Sequence, residues 1–350
     1  MPPYPIIQEE KITDFDDRST NTLFSNRGNT SGAWADPGEN ELLVVSSYTD
    51  FDNLAHGPRG TEGKHSLHVY RFNRDDGSLV LMHVVMDKIM NVAFTRFHPR
   101  KNVIYTCTED IENNGRVIAF KIQPNGKLEK ISEQDSGGTS TCYITIDHDQ
   151  KNILVVNYWD STLCVLPLNP QNGSLVGPTK YTYDPKEGYD MKSSTRVRGG
   201  GCNHSNNDVS TIQERQLDPH SHALVLDPFI GCIAYVPDLG KDIIREFYFD
   251  QESGRIESLG VLPSGQYSDL ADGPRYIQFH PHFNIAYVVN ELSSTIAVFS
   301  VDRNKINEIS KVAQNGKSLN PFKSETTLSL IQSIKTVPEA FPTAINTCGR

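Results

Sequence analysis

Four stretches of this chain align with one another without a gap: "FHPRKNVIYTCTE" from Phe97, "IDHDQKNILVVNY" from Ile146, "LDPFIGCIAYVPD" from Leu226 and "FHPHFNIAYVVNE" from Phe279. Each has an Asp or His in second place, a short turn, and then an apolar run of strand length. A weaker fifth copy, "ADPGENELLVVSS", starts at Ala35. A second β-rich run follows each of the four: "RVIAFKI", "TLCVLPL", "IIREFYFD" and "TIAVFSVD". In three of them a glycine-marked turn comes next ("PNGKL", "QNGSL", "ESGRI"). Their β-branched and aromatic content and turn chemistry predict strands. The anchor residues Asp36, His98, Asp147, Asp227 and His280 stand about 50 to 80 residues apart, room for the three or four short antiparallel strands of one propeller blade. The expected fold is all-β, a β-propeller with about five to six blades in this chain. A β-sandwich with coincidentally similar turns is the alternative.

Residues 1–34 read as an N-terminal extension and 35–350 as the propeller domain. The polar, Gly/Ser/Asn-rich segment 183–217 is expected to be a long loop between blades. The terminal "FPTAINTCGR" looks like the first strand of another blade, at which the chain stops. No run approaches the roughly 18 apolar residues of a membrane helix. The acidic start "MPPYPIIQEEKITDFDD" lacks a signal-peptide core. The six cysteines form no CxxC pair, and Cys107, Cys164 and Cys232 lie in apolar runs. A reduced, cytoplasmic protein is therefore expected. A formal net charge of −10 argues against nucleic-acid binding, which needs basic surface. No membrane partner is expected, and a monomer is.

Blade geometry places the polar residues. In an antiparallel hairpin the start of the first strand lies beside the end of the second. With the anchor as zero, position −5 carries Ala93, Cys142, His222 and Arg275, and position +11 carries Glu109, Tyr158, Asp238 and Glu291. All eight are predicted at one mouth of the central channel. The pairing puts His222 beside Asp238 and Arg275 beside Glu291. Such pairs at strand ends are also ordinary salt bridges, of little worth when exposed; their convergence favours a binding site. The anchors themselves read as turn-capping residues. His220 and His222, as HxH on a strand, are alternative metal ligands, with Cys202 and His204 as further donors. No GxSxG, P-loop or Rossmann fingerprint occurs, and no metal or organic cofactor is expected.

The stretches "QERQLDPHSHALVLDP", "YVPDLGKDII" and, above all, "DGPRYIQFHPHFNIAYVVNELSSTIAVF" resemble the seven-bladed propeller lactonases, a family that includes 6-phosphogluconolactonase and the fungal carboxymuconate cyclase. The resemblance spans roughly residues 42 to 350. It implies an active site at one channel mouth, with His and Arg at its centre. The matching positions are Arg215, His220, His222, Asp238, Lys241, Arg275, Asn290 and Glu291. Where the family has His after Cys this chain has Tyr143, and where it has "GPRH" this chain has Tyr276. The family continues for nearly two more blades, so a shortened ring is expected.

The expected function is hydrolysis of a small anionic sugar lactone, 6-phosphogluconolactone first among them. His222, or else His220, would be the general base and Asp238 its orienting partner. Arg275, fixed by Glu291, would bind the anion or the oxyanion together with Arg215 or Lys241. Tyr143 and Asn290 would contact substrate. The rivals are a carboxymuconate-type cycloisomerase and a non-catalytic propeller scaffold.

Overall fold

The strand runs read from the sequence form five antiparallel sheets in the computed structural model, which describes residues 40–55, 61–177, 181–183, 215–266 and 271–336. The first sheet has three strands, β1 (Asn40–Ser46), β2 (Leu67–Asn73) and β3 (Leu79–Val84). The second runs β4 (Val92–Phe97), β5 (Val103–Thr108), β6 (Asn114–Ile122) and β7 (Leu128–Thr139). The third runs β8 (Thr141–Ile146), β9 (Asn152–Asn157), β10 (Leu163–Pro167) and β11 (Tyr181–Tyr183). The fourth comprises β12 (Val225–Leu226), β13 (Ile233–Asp238), β14 (Ile243–Phe249) and β15 (Ile256–Pro263). The fifth comprises β16 (Pro274–Phe279), β17 (Ile285–Asn290), β18 (Thr295–Val301) and β19 (Leu328–Lys335). Within each sheet, hydrogen-bonded neighbours are consecutive in sequence, the meander of a propeller blade. The 1–34 extension, Asp36, Cys202, His204, most of the 183–217 loop and the terminal "FPTAINTCGR" lie outside the described residues.

The sheets bury their faces against one another. Strands β5, β9 and β13 are buried at every position, because a neighbouring sheet covers each face. One apolar cluster joins the first two sheets through Val69, Ile104 and Phe120. A second joins the next pair through Tyr105, Val117 and Val155, and the largest spans the third to fifth sheets through Leu154, Tyr235, Phe247 and Phe299. Each such side chain contributes about 1.5–3 kcal/mol when fully buried.

The repeated anchors cap turns. Nδ1 of His98 accepts the N–H groups of Arg100 and Lys101, and Nδ1 of His280 accepts those of His282 and Phe283. The Asp147 carboxylate receives the N–H groups of Lys151 and Asn152. Asp227 receives four, from Phe229, Ile230, Cys232 and Ile233. Here one copy departs from the others. The N–H of the anchor bonds the carbonyl five residues on at His98, Asp147 and His280, but six residues on at Asp227. The fourth turn holds one residue more, with Gly231 left-handed at φ 77°. Everything after it in that blade is displaced by one relative to the ungapped alignment.

The fifth sheet lacks the glycine turn of the others between its last two strands. In its place stands a helix, α1 (Arg303–Gln314), capped by the Asp302 side chain on Lys305 N–H. Ile306 and Ile309 on α1 are buried in the large cluster. The chain then returns to β19 under the hold of Glu246, a buried carboxylate on β14 that accepts from Thr327 N–H, Thr327 Oγ1 and Leu328 N–H.

Candidate functional site

Strand register decides which polar side chains reach the mouth. Val92 pairs with Thr108, Thr141 with Asn157, and Pro274 with Asn290; in each case the pairing then slips by one residue. The extra residue sits at Ala93, Cys142 and Arg275. The fourth blade shows the same excess between the Ser221–Asp238 bridge and the Val225–Tyr235 pair, with His222 at the aligned position. A bulge re-aims the side chain it carries. The alignment expresses the −5 positions but not the bulge at each, because bulges are set by pairing.

The longer fourth turn corrects the placement of Asp238. It occupies the place of Asn157 and Asn290 at the strand end, and Leu239 takes the place of Glu109, Tyr158 and Glu291. A one-residue slip turns a strand side chain to the opposite face. Asp238 accordingly points into its own blade. Its Oδ2 accepts from Arg245 Nη2 at 2.6 Å and Nε at 3.1 Å, and its Oδ1 accepts the His220 backbone N–H at 2.8 Å. It does not orient the His222 ring, whose Nδ1 has no hydrogen-bond partner. Arg245, wholly buried, gave no sequence signal beyond sitting in an apolar strand.

Asn290 is corrected on the same grounds. Its Nδ2 donates to Ser264 O and Thr295 Oγ1, just as Asn157 Nδ2 donates to Ser136 O and Thr162 Oγ1. Both tie the blade together at the strand end. Asn157 Oδ1 receives the Thr141 hydroxyl; Pro274 stands at that place in the fifth blade and has none to give, which leaves Asn290 Oδ1 unpaired. Lys241, half-buried, donates Nζ to the Leu217 carbonyl. Tyr143 is buried, its hydroxyl receiving Arg96 Nη2 at 3.0 Å and its ring packed against Phe94 and Tyr276.

The remaining predicted residues converge. Glu291 bridges two guanidiniums, Arg275 at 2.6 Å through one oxygen and Arg215 through the other. Burial alone would raise its carboxyl, but Arg215 and Arg275 more than offset this and hold it below the ordinary carboxylate range. Two cations against one anion leave the cluster with an excess positive charge. Arg215 also reaches the Tyr158 hydroxyl, and its Nε is buried without a partner. Beside the cluster stands His222, 8% exposed. Burial, and then the field of Arg275, push its imidazole down to about 3, so it is neutral at ordinary pH. Tyr276 and Tyr158 present ring edges to it at 5.5 and 5.3 Å.

His220 is held from three sides. Its Nδ1 lies 3.2 Å from the Tyr158 carbonyl, its ring stacks on Tyr158 at 4.8 Å, and Trp159 flanks it at 5.7 Å. Burial lowers its pKa as well. Between the two histidines, the Ser221 hydroxyl bonds that of Ser161 at 2.6 Å. Both imidazoles therefore face one neighbour, Tyr158, as the i, i+2 spacing implies. Among the described residues no group of three or more His, Cys, Asp or Glu is placed to hold a metal ion. No helix among them is long and apolar enough to cross a membrane.

Comparison with known proteins agrees with this architecture. The family described as "Lactonase, 7-bladed beta-propeller" matches residues 42–343. A 6-phosphogluconolactonase of Formosa agariphila is 27% identical over 237 residues, covering 67% of this chain and 60% of that protein. An uncharacterized protein of Staphylococcus aureus is 26% identical over 251 residues, 71% of this chain and 64% of its own length. The chain thus spans less than two thirds of these curated relatives. Among solved structures, the periplasmic gluconolactonase PpgL of Pseudomonas aeruginosa superposes with a TM-score of 0.61 at 21% identity, over 87% of this chain and 69% of that one, a likeness of fold.

Proposed function

Since the chain belongs to the seven-bladed β-propeller lactonase family, we propose that its mouth site hydrolyses a sugar lactone carrying or developing negative charge, with 6-phosphogluconolactone as the leading substrate. The observation that carries this reading is the sharing of Glu291 by Arg215 and Arg275 next to a buried, neutral His222. Lactone hydrolysis needs a proton acceptor for the attacking water and a cation for the oxygen that becomes negative. In this mechanism water attacks the lactone carbonyl carbon while His222 takes its proton. Arg275, kept in place by Glu291, stabilises the oxyanion of the tetrahedral intermediate. The ring C–O bond then breaks, and the proton held by His222 passes to the departing ring oxygen, giving the hydroxy acid.

Neutral His222 has its lone pair free, though burial makes it a weak base. A bound anion offsets the field of Arg275 and raises its basicity when substrate is present. Arg215 holds the substrate's own anionic group where there is one. The family name and the Formosa relative support the reaction class.

The test is acid release from 6-phosphogluconolactone and from unphosphorylated gluconolactone, measured by pH-stat against the spontaneous rate. Arg275→Ala is expected to lower kcat/KM by about 10²–10³, the loss typical of an oxyanion-stabilising donor. No release above the spontaneous rate on either lactone sinks the proposal. Lactone formation from a muconate in the same assay would transfer the site to cycloisomerisation.

A further inference from the structure

We propose that Trp159, backed by His220 and Tyr158, is the platform on which the apolar face of the substrate's sugar ring lies. This rests on the reading of the mouth as a sugar-lactone site and adds a ring-binding subsite beside the anion-binding arginines. Trp159 stands one residue beyond Tyr158, in the turn between β9 and β10. At the corresponding turn position the first blade carries Tyr48, half-buried with its hydroxyl on Glu109, and the others carry Asp110, Gly240 and Leu292, so among the described residues Trp159 is the exposed aromatic ring there. The indole is 43% exposed, while His220 and Tyr158 beneath it are buried.

The turn beneath the indole is rigid. Tyr158 N–H bonds Ser140 O at 2.8 Å, and Trp159 N–H bonds Thr139 O at 3.3 Å. Asp160 takes Thr139 N–H with one oxygen and Thr162 with the other. Ser161, at φ 59°, ties the turn to the histidine segment through Ser221. An exposed indole on so fixed a base loses little freedom on meeting a ligand.

The chemistry of the three rings is complementary to a sugar. Indole, imidazole and phenol lie in sequence, and burial keeps His220 neutral, so the stack carries no charge of its own. The face of an aromatic ring is electron-rich and attracts the weakly positive C–H groups on one face of a pyranose. Charge begins at the far end, where the Tyr158 hydroxyl meets Arg215. An oxidised sugar has the same polarity, with a C–H face on its ring and anionic or oxyanionic oxygen at one end. The orphan Nε of Arg215 and Nδ1 of His222 lie at that charged end.

Tryptophan occurs twice in the chain, at Trp34 and Trp159, so Trp34→Phe leaves Trp159 as sole reporter. Its emission is titrated with sodium gluconate, 6-phosphogluconate, inorganic phosphate and acetate. Saturable changes with the two sugar acids and none with phosphate or acetate are expected. In steady state, Trp159→Ala should raise KM for the lactone about tenfold with kcat within twofold of wild type, and Trp159→Phe should recover most of the loss. Emission that does not respond to either sugar acid, or an unchanged KM in Trp159→Ala, overturns the platform. The two proposals fail separately. Hydrolysis with KM indifferent to Trp159 removes the platform and keeps the lactonase; a sugar-acid response without hydrolysis does the reverse.

Discussion

Replacing Asp238 by Asn keeps the size of the side chain and deletes one charge from the interior of the fourth blade. Asp238 and Arg245 are 0% and 2% exposed, and two of the guanidinium nitrogens reach the same carboxylate oxygen. Were this pair on the surface, its loss would matter by less than about 1 kcal/mol. Buried, the removal of one partner is worth about 3–5 kcal/mol, since the remaining charge has been taken from water and loses its counter-ion. Asparagine still accepts the His220 N–H, so the lower end, about 3 kcal/mol, is expected. That is a large share of the roughly 5–15 kcal/mol by which domains are stable. Urea unfolding of wild type, Asp238→Asn, Arg245→Met and the double variant measures it. The double variant should lose clearly less than the sum of the singles, with a coupling of about 2 kcal/mol or more. An Asp238→Asn protein within about 1 kcal/mol of wild type, or additive singles, would refute the buried-pair argument.

Other consequences are as direct. Arg275→Gln removes a cation that depresses His222, so the His222 imidazole, followed by NMR titration, should rise from about 3 toward its ordinary value; an unchanged or lower midpoint contradicts the assigned field. Glu246 titrates near 4.5 when unfolded and is raised by burial to about 7 when folded, so the folded state holds the extra proton between those values. Its contribution is full below pH 4.5 and lost by pH 7, on the order of 3 kcal/mol, so wild type should weaken by that much relative to Glu246→Gln over this window. A pH-independent difference between the two would be the contrary result. Asp227→Ala strips the acceptor from four backbone N–H groups, and a loss of about 3 kcal/mol or more is expected in thermal or urea unfolding, against a few tenths for Asp149→Ala on the exposed part of the neighbouring turn.

The blade repeat and the capping role of its anchors were legible because both rest on local chemistry: strand-forming runs, and side chains that accept the N–H groups of the next few residues. The Arg275–Glu291 pair was legible because that blade keeps the common turn length. The same reasoning misplaced Asp238, since one added residue around Gly231 leaves the alignment ungapped to the eye yet turns the strand end over. Asn290 looked like a site residue by resemblance, and its equivalence to Asn157 emerges only from paired registers. Arg245 and the Ser161–Ser221 link depend on contacts between distant segments, which no spacing in the sequence expresses. Helix α1 interrupts the strand repeat and is signalled only locally, by Asp302 as a serviceable cap ahead of "RNKINEIS".

The bulge that recurs at Ala93, Cys142, His222 and Arg275 has an evolutionary reading. A residue inside a regular strand is bound by alternation: exchange it, and either the buried face or the neighbouring sheet must accommodate the change. A residue at the bulge escapes the alternation and answers instead to its neighbours at the mouth, as Cys142 Sγ does to the His222 carbonyl of the next blade. The second to fifth blades thus each offer one position whose side chain is set by the mouth and not by the strand ladder, and a methyl, a thiol, an imidazole and a guanidinium occupy the four. New substrate preferences in such a protein would be reached by single exchanges there, with the hydrogen-bonded ladder of each blade left as it was.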